Sequence, residues 1–325
     1  MKTRFLLGVI CLLILFPWLA TGQAQEKFPS RPIELVIPFD PGGSSDISAR
    51  IYTDELGRVL KTNITPVNRP GGAAMQGAAY VVRSKKDGYT LLAGSGAALV
   101  NGPVLKKKEC PYDPLRDLAP LGNFVYTSTV FAVRGDSPFK TLEELKEFAL
   151  KNPGKIKAGI AGVGNDSHCN LLMFESKNNL KITGIPFKGG GESLAALLGG
   201  HVDMGSNTLA TFAENIKAGK LRGLCIVAKA RDPDFPNIPT ANELGYKDIN
   251  FYSWQGVFAP AGLPQNVMDT LVQGFEKVFT HPEIQKMAVK AQFIPAYMAP
   301  EEFRRHIELQ IQLVSKLAQE ITLFK

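Results

Sequence analysis

The chain has 325 residues, of which 45% are hydrophobic and 21% charged, with a formal net charge of +7. Domains typically run ~100–200 residues, so this length supports two. The basic excess is spread along the chain, with Lys106-Lys107-Lys108 as its only dense run. No basic stripe is interleaved with stacking aromatics, which excludes a nucleic-acid-binding surface of the usual kind.

Lys2 and Arg4 precede an apolar run over residues 5–20, and the small residues Gly22 and Ala24 follow. This three-part pattern is that of a signal peptide over residues 1–24, cleaved after Gly22 or Ala24. A spanning helix needs ~20 apolar residues, whereas this run is shorter, contains Pro17 and meets no stop-transfer cluster. A soluble, exported chain is therefore expected, and its formal charge falls to +5 once Lys2 and Arg4 are removed. Cys11 lies inside the apolar run and does not fit a lipidation site. Cys110, Cys169 and Cys225 remain, an odd number for an oxidising compartment, with no CxxC and no Cys/His metal spacing. They are read as free thiols, with a Cys169–Cys225 bridge as the alternative; neither a metal nor a cofactor is implied.

The mature chain alternates strands and helices. Ile33-Glu34-Leu35-Val36-Ile37 reads as a buried strand, and Pro41-Gly42-Gly43 turns into Ser44-Ser45-Asp46 at the start of a helix over residues 46–60. Strand, glycine turn and helix N-terminus in that order suit a small anion, because unpaired amides and the positive end of the helix dipole face outward. The same pattern is also satisfied by a plain turn capped by Ser44 or Asp46. A strand over residues 64–67, a glycine turn at Gly71-Gly72 with a helix to Val82, and a strand over 89–93 ending in Gly94-Ser95-Gly96 follow. Residues 111–120 read as an irregular connection and 121–133 as one long extended segment.

The pattern then restarts. Thr141-Leu142-Glu143-Glu144 is a capping box at the head of a helix to residue 150. The strand over 156–160 leads through a glycine-rich turn at 161–168 into a second helix, and the strand over 182–187 leads through Lys188-Gly189-Gly190-Gly191 into a third. Gly199-Gly200-His201-Val202-Asp203-Met204 opens a further strand, and residues 224–228 form another. The chain is extended again over 249–258, and three helices close it. This is an α/β pattern of two domains, each a mostly parallel sheet flanked by helices. Crossings near 121–131 and 249–258 make domain 1 discontinuous, residues 25–123 plus 250–325, with domain 2 at 124–249. The glycine turns can then face each other across a cleft that closes by hinge motion.

Several runs carry a resemblance. Phe28-Pro29-Ser30-Arg31-Pro32-Ile33, Pro38-Phe39-x-Pro41-Gly42-Gly43-Ser44-x-Asp46 with Ala49-Arg50, and Asn68-Arg69-Pro70-Gly71-Gly72 lie in the first half with Asp87-Gly88-Tyr89-Thr90-Leu91. Pro186-Phe187-Lys188-Gly189-Gly190-Gly191, Gly199-Gly200-His201-Val202-Asp203, Pro236-x-x-Pro239-Thr240, Trp254-x-Gly256 and Pro260-Ala261-Gly262-x-Pro264 lie in the second. Over essentially the whole mature chain this ordered set resembles the substrate-binding proteins of tripartite tricarboxylate transporters, the Bug family.

The resemblance implies a clam-shell fold of the type II periplasmic-binding-protein kind. It also implies a periplasmic receptor that captures a small carboxylate, whether a mono- or dicarboxylate, an amino acid or an aromatic acid, and presents it to membrane subunits of such a transporter; a monomer is the default for a protein that must show both lobes to a membrane partner. The implied ligand contacts are Pro41, Gly42, Gly43, Ser44 and Asp46, Ser95 and Gly96, then Gly162, Gly164, Asn165, Ser167 and His168, with Gly189, Gly190 and Asp203. For Asp46 a helix-capping role comes first, for Trp254 core or hinge packing, and for Lys188 solvent. His168 is equally suited to cap its own helix or pack in the cleft wall, and Asp203 to brace the neighbouring turn.

Two places depart from the family pattern: Asp40, where an apolar residue or proline is usual, and the pair Asn165-Asp166, where small residues are common. Extra carboxylates near a cleft disfavour a citrate-like trianion and favour a mono- or dicarboxylate or an acid carrying an amine. An exported hydrolase would need a nucleophile and base, but there is no GxSxG elbow and only four histidines, so no enzymatic activity is expected. A periplasmic sensor that signals through a receptor kinase would share the same motifs and is the alternative.

Overall fold

The structure is a computed structural model that describes residues 27–247, 249 and 251–320; the signal-peptide segment lies outside the described residues. In order, the first part comprises β1 (Ile33–Ile37), α1 (Ser44–Leu60), β2 (Ile64–Asn68), α2 (Met75–Val82) and β3 (Thr90–Ser95). A π-helical turn (Ala97–Asn101) then runs into α3 (Gly102–Leu105), followed by α4 (Pro114–Asp117) and β4 (Leu118–Thr127). The middle part holds β5 (Thr129–Arg134), α5 (Leu142–Lys151), β6 (Lys157–Ile160), α6 (Asp166–Asn178), β7 (Thr183–Pro186), α7 (Gly190–Leu198), β8 (Met204–Thr208), α8 (Leu209–Lys217) and β9 (Leu221–Val227). The chain closes with β10 (Ser253–Pro260), α9 (Gln265–Phe279), α10 (Pro282–Lys290), β11 (Ile294–Met298) and α11 (Pro300–Glu320). None of the described helices is long and apolar enough to cross a membrane.

Two sheets result, of order β11-β4-β10-β3-β1-β2 and β7-β6-β8-β5-β9. Period-two alternation explains the first: Ile33, Leu35 and Ile37 point into a core shared with Leu56, Leu271 and Phe275, while Val36 points to the other face with Ala78 and Leu92. Both faces are covered by helices, which is why β1 reads as a nearly continuous apolar run. In the second sheet Phe131 and Val133 pack with Phe174, and Val130 and Ala132 with Phe212.

The sheets are mixed rather than mostly parallel. Strands β1, β2 and β3 are parallel to one another, as are β6, β7 and β8, but β10 and β4 run antiparallel to their neighbours, as does β5. These are the strands that carry the chain between sheets, and they enter without the crossover helix that parallel pairing requires. The single extended segment expected over 121–133 is two strands in different sheets, parted at Ser128. An edge strand, β11, which pairs with β4, separates the last two helices, and α4 occupies the connection expected to be irregular. Residues 97–105, given no element by the sequence pattern, are helical. Cys110, Cys169 and Cys225 are all free, Cys110 partly exposed and the other two buried.

Candidate functional site

The first turn is built as its sequence order requires. Gly42 adopts φ +78°, a left-handed conformation that favours glycine. Its N–H donates to Asp46 Oδ2 at 3.0 Å. Asp46 also accepts from Arg50 Nε (2.9 Å) and Asn68 Nδ2 (3.0 Å), and these three partners hold its carboxyl below the usual range against the opposing effect of burial. Asp46 thus braces the turn from within the helix. The N-cap is Gly43, not Ser44 or Asp46, and no side chain caps α1, so the amides of its first turn remain available.

The corresponding turns of the second sheet face this one. A Cβ at Gly43 would lie 3.3 Å from the amide nitrogen of Gly190 at the start of α7, one at Gly96 3.2 Å from both carboxylate oxygens of Asp166, and one at Gly162 3.7 Å from Ala73. Between them lies a cavity of ≈ 40 Å³ lined by Phe39, Gly43, Ser44, Ser45, Ser95, Ala97, Ala161, Asn165, Asp166, Ser167, Gly190, Asn207, Thr208, Ser253 and Gln255. That is room for a few water molecules, so any larger ligand requires the two sides to part. The starts of α1, α6 and α7 converge on it, each presenting the positive end of a helix dipole.

Its polar side chains are mostly fixed by one another. Ser45 Oγ donates to Gln255 Oε1 at 2.8 Å, Asn207 Nδ2 donates to the Gly190 carbonyl at 3.1 Å, and the Thr208 amide donates to Asn207 Oδ1 at 2.8 Å. Thr129 Oγ1 donates to Ser167 Oγ at 3.3 Å. Ser95 Oγ is buried and has no partner among the described residues, a donor left for something within the cavity.

Six of the positions expected to touch ligand line this cavity together: Gly43, Ser44, Ser95, Asn165, Ser167 and Gly190. Asn165 caps α6 by accepting the His168 amide at 2.8 Å. Gly96 lies against Asp166, and Gly189 against Asp40. Pro41 and Gly42 are exposed on the turn, and Asp46 sits beneath it. Asp203 is elsewhere: it is exposed, accepts the Lys157 amide at 2.8 Å and lines a separate surface hollow with Arg134. Lys188 is exposed as well. Asn207, Thr208, Ser253 and Gln255 were not singled out from the sequence. Thr208 ends β8 just as Ser95 ends β3, and that parallel was the available signal; Ser253 and Gln255 sit in a fully buried strand with no local mark.

His168 does not face the cavity. Its Nδ1 accepts the Gly164 amide at 2.9 Å, which requires that nitrogen to be unprotonated, and burial pushes its pKa down to about 4. A group that titrates near 6.5 unfolded and near 4 folded binds protons more readily when unfolded. Its contribution to stability is therefore full above pH 6.5 and lost as pH falls through 4. Urea unfolding should show the wild type losing roughly 2 kcal/mol more than His168→Gln between pH 7.5 and pH 4, after allowance for partial solvent screening. Equal losses in the two proteins would rule this out.

Asp40 reaches across. Its Oδ2 accepts the Glu192 amide in the first turn of α7 at 2.5 Å, so a carboxylate from the first turn occupies the dipole end of a second-sheet helix. Burial raises its pKa and outweighs the hydrogen bonds from Glu192 and Gly191 that act against it.

Two α/β halves, joined by β4–β5 and β9–β10 and closed over a polar cavity at the carboxyl ends of their parallel strands, define a solute-binding protein of the two-lobed periplasmic type. The chain belongs to the tripartite tricarboxylate transporter family of receptors: the family model described as "Tripartite tricarboxylate transporter family receptor" matches residues 48–323. It is similar to the UPF0065 protein in the gbd 5′ region of Cupriavidus necator, 32% identical over 308 residues covering 94% of this chain and 92% of that one. Among solved structures, MatC of Rhodopseudomonas palustris with bound malate superposes with a TM-score of 0.84 at 26% identity, covering 90% of this chain and all of that one. Rpa4515 of R. palustris with adipate superposes at 0.85 and 25% identity, covering 90% and 98%.

Proposed function

We propose that this chain is a periplasmic receptor that captures a small organic acid between its two lobes, one built on each sheet and parted at Ser128 and before β10, and delivers it to the membrane subunits of a tripartite tricarboxylate-type transporter. The observation that carries this function is the buried, unpartnered Ser95 hydroxyl in a cavity on which three helix N-termini converge. Amides and hydroxyls hold a carboxylate without a buried counter-charge. The malate and adipate seen in the related structures are acids of the expected size and charge. Gly43, Ser44 and Ser95 from one lobe and Asn165, Ser167 and Gly190 from the other supply the contacts, with the connections at 127–129 and 251–253 as hinges.

The test is a thermal-unfolding panel of the mature chain with mono-, di- and tricarboxylates, amino acids, aromatic acids and neutral sugars. A ligand at 100 times its dissociation constant stabilises by about 2.7 kcal/mol, a shift of several degrees. One class of acid should give that shift, and Gly43→Leu should abolish it, because the added side chain fills the space against Gly190. Shifts with sugars alone, or with nothing after unfolding and refolding to strip bound ligand, would remove the carboxylate function.

A further inference from the structure

Asp166 is the only ionisable side chain among the described residues that line the cavity; no lysine, arginine or histidine accompanies it. It is buried, 5% exposed, in the first turn of α6. Its Oδ1 accepts from Asn101 Nδ2 at 2.9 Å, and Ser253 also hydrogen-bonds to it. Its two oxygens lie against Gly96. Asn101 and Gly96 belong to the segment after β3, Ser253 to the strand that returns between the sheets, and Asp166 to the opposite lobe. The carboxylate therefore sits where the two sides meet, held by neutral donors only.

That arrangement has a consequence for what can share the cavity. A buried carboxylate is costly unless it is paired, and a second anion close by in a site withdrawn from water adds a like-charge repulsion. An ammonium group reverses both effects: it supplies the missing counter-charge and a charge-assisted hydrogen bond. The amides at the start of α1 and the Ser95 hydroxyl remain to hold a carboxylate at the other end of the same small molecule, and Ser44, whose oxygen accepts from Gln255 Nε2 at 3.4 Å, keeps its own proton to donate.

Resting on the proposed receptor function, we propose that the ligand is an organic acid that also carries an amine, with its ammonium on Asp166 and its carboxylate on the α1 turn. Asp166 is then the residue that sets ligand class.

Calorimetric titration of matched pairs that differ by one α-amine tests this: succinate and aspartate, glutarate and glutamate, propionate and alanine, 3-phenylpropionate and phenylalanine. For the skeleton that fits, the amine-bearing member should bind wild-type protein at least about tenfold more tightly, equivalent to about 1.4 kcal/mol. Asp166→Asn keeps the shape and an acceptor for Asn101, and should bring that ratio to near one by weakening the amino acid and strengthening the plain acid. A role confined to bracing α6 would weaken both members alike. Asp166→Ser gives the same comparison if the asparagine variant does not fold. A plain acid that binds wild-type protein as tightly as its amine-bearing partner, or a ratio unchanged in the variants, overturns the assignment of Asp166 and leaves the receptor function standing. Failure of every pair to bind overturns the assignment of Asp166, and failure of the wider thermal-unfolding panel as well removes the receptor function.

Discussion

Gly191→Ala is expected to weaken ligand binding at least about tenfold while leaving the lobe that carries it intact. Gly191 is the second residue of α7, where alanine is the better helix former by about 1 kcal/mol. Nothing in its own lobe opposes a methyl group there. The obstacle is on the other side: the added carbon would run into the carbonyl oxygen of Pro41 and lie 3.4 Å from Asp40 Oδ2. Pro41 O is backbone, so it yields only if the turn that carries Gly43 and Ser44 moves with it. The methyl thus acts as a wedge against closure. Calorimetry would give the loss in affinity, and small-angle scattering should show that ligand no longer contracts the variant. Asp40→Ala removes the cross-cleft bond to Glu192 without adding bulk, and should cost less than the wedge. An affinity within threefold of wild type for Gly191→Ala would mean that the bound form does not bring these two turns together.

Trp254→Ala should lower the melting temperature by roughly 10 °C. Trp254 is fully buried at the start of β10, edge-on to Phe303 (centroids 4.9 Å apart, 86° between planes) and tilted against Phe258 at 6.1 Å. Its indole N–H donates to Gln310 Oε1 at 2.5 Å, which ties the return strand to α11. Removing a buried tryptophan typically costs 3–5 kcal/mol, and a domain of about 150–250 residues loses about 2–4 °C per kcal/mol. Its neighbours Ser253 and Gln255 line the cavity, so ligand affinity should fall as well. Trp254→Phe keeps most of the ring packing and loses the hydrogen bond, and should cost about a third as much. Circular dichroism melts decide it: a fall of less than about 3 °C for Trp254→Ala would show that the surrounding aromatic residues refill the space.

The amino-acid sequence alone determined the elements whose cause is local. The apolar run of β1, the Gly42-Gly43 turn, the capping box at Thr141 and Glu144 and the repeated order of strand, glycine turn and helix all follow from periodicity and backbone freedom within a few residues. So did the presence of acidic groups near the cleft, because Asp40 and Asp166 sit in motifs whose place in the fold was already legible. Tertiary structure decided whatever depends on residues distant in the chain. Mixed sheets arise because β4, β5 and β10 find partners far away in sequence, and no local pattern encodes strand direction. Gln255 and Ser253 reach the cavity only because β10 pairs between β3 and β4, and Asp203, in a motif like the others, ends outside it because its turn lies away from the carboxyl ends of the strands. The two acidic residues were visible as charges, but the fold alone set their tasks: one carboxylate across the cleft on the amides of α7, the other within the cavity with no cationic side chain among the described residues that line it. A side chain's type is written at its own position, whereas its direction and its partner are fixed by packing between segments far apart in the chain, 152 residues for Asp40 and Glu192 and 210 for Ser45 and Gln255.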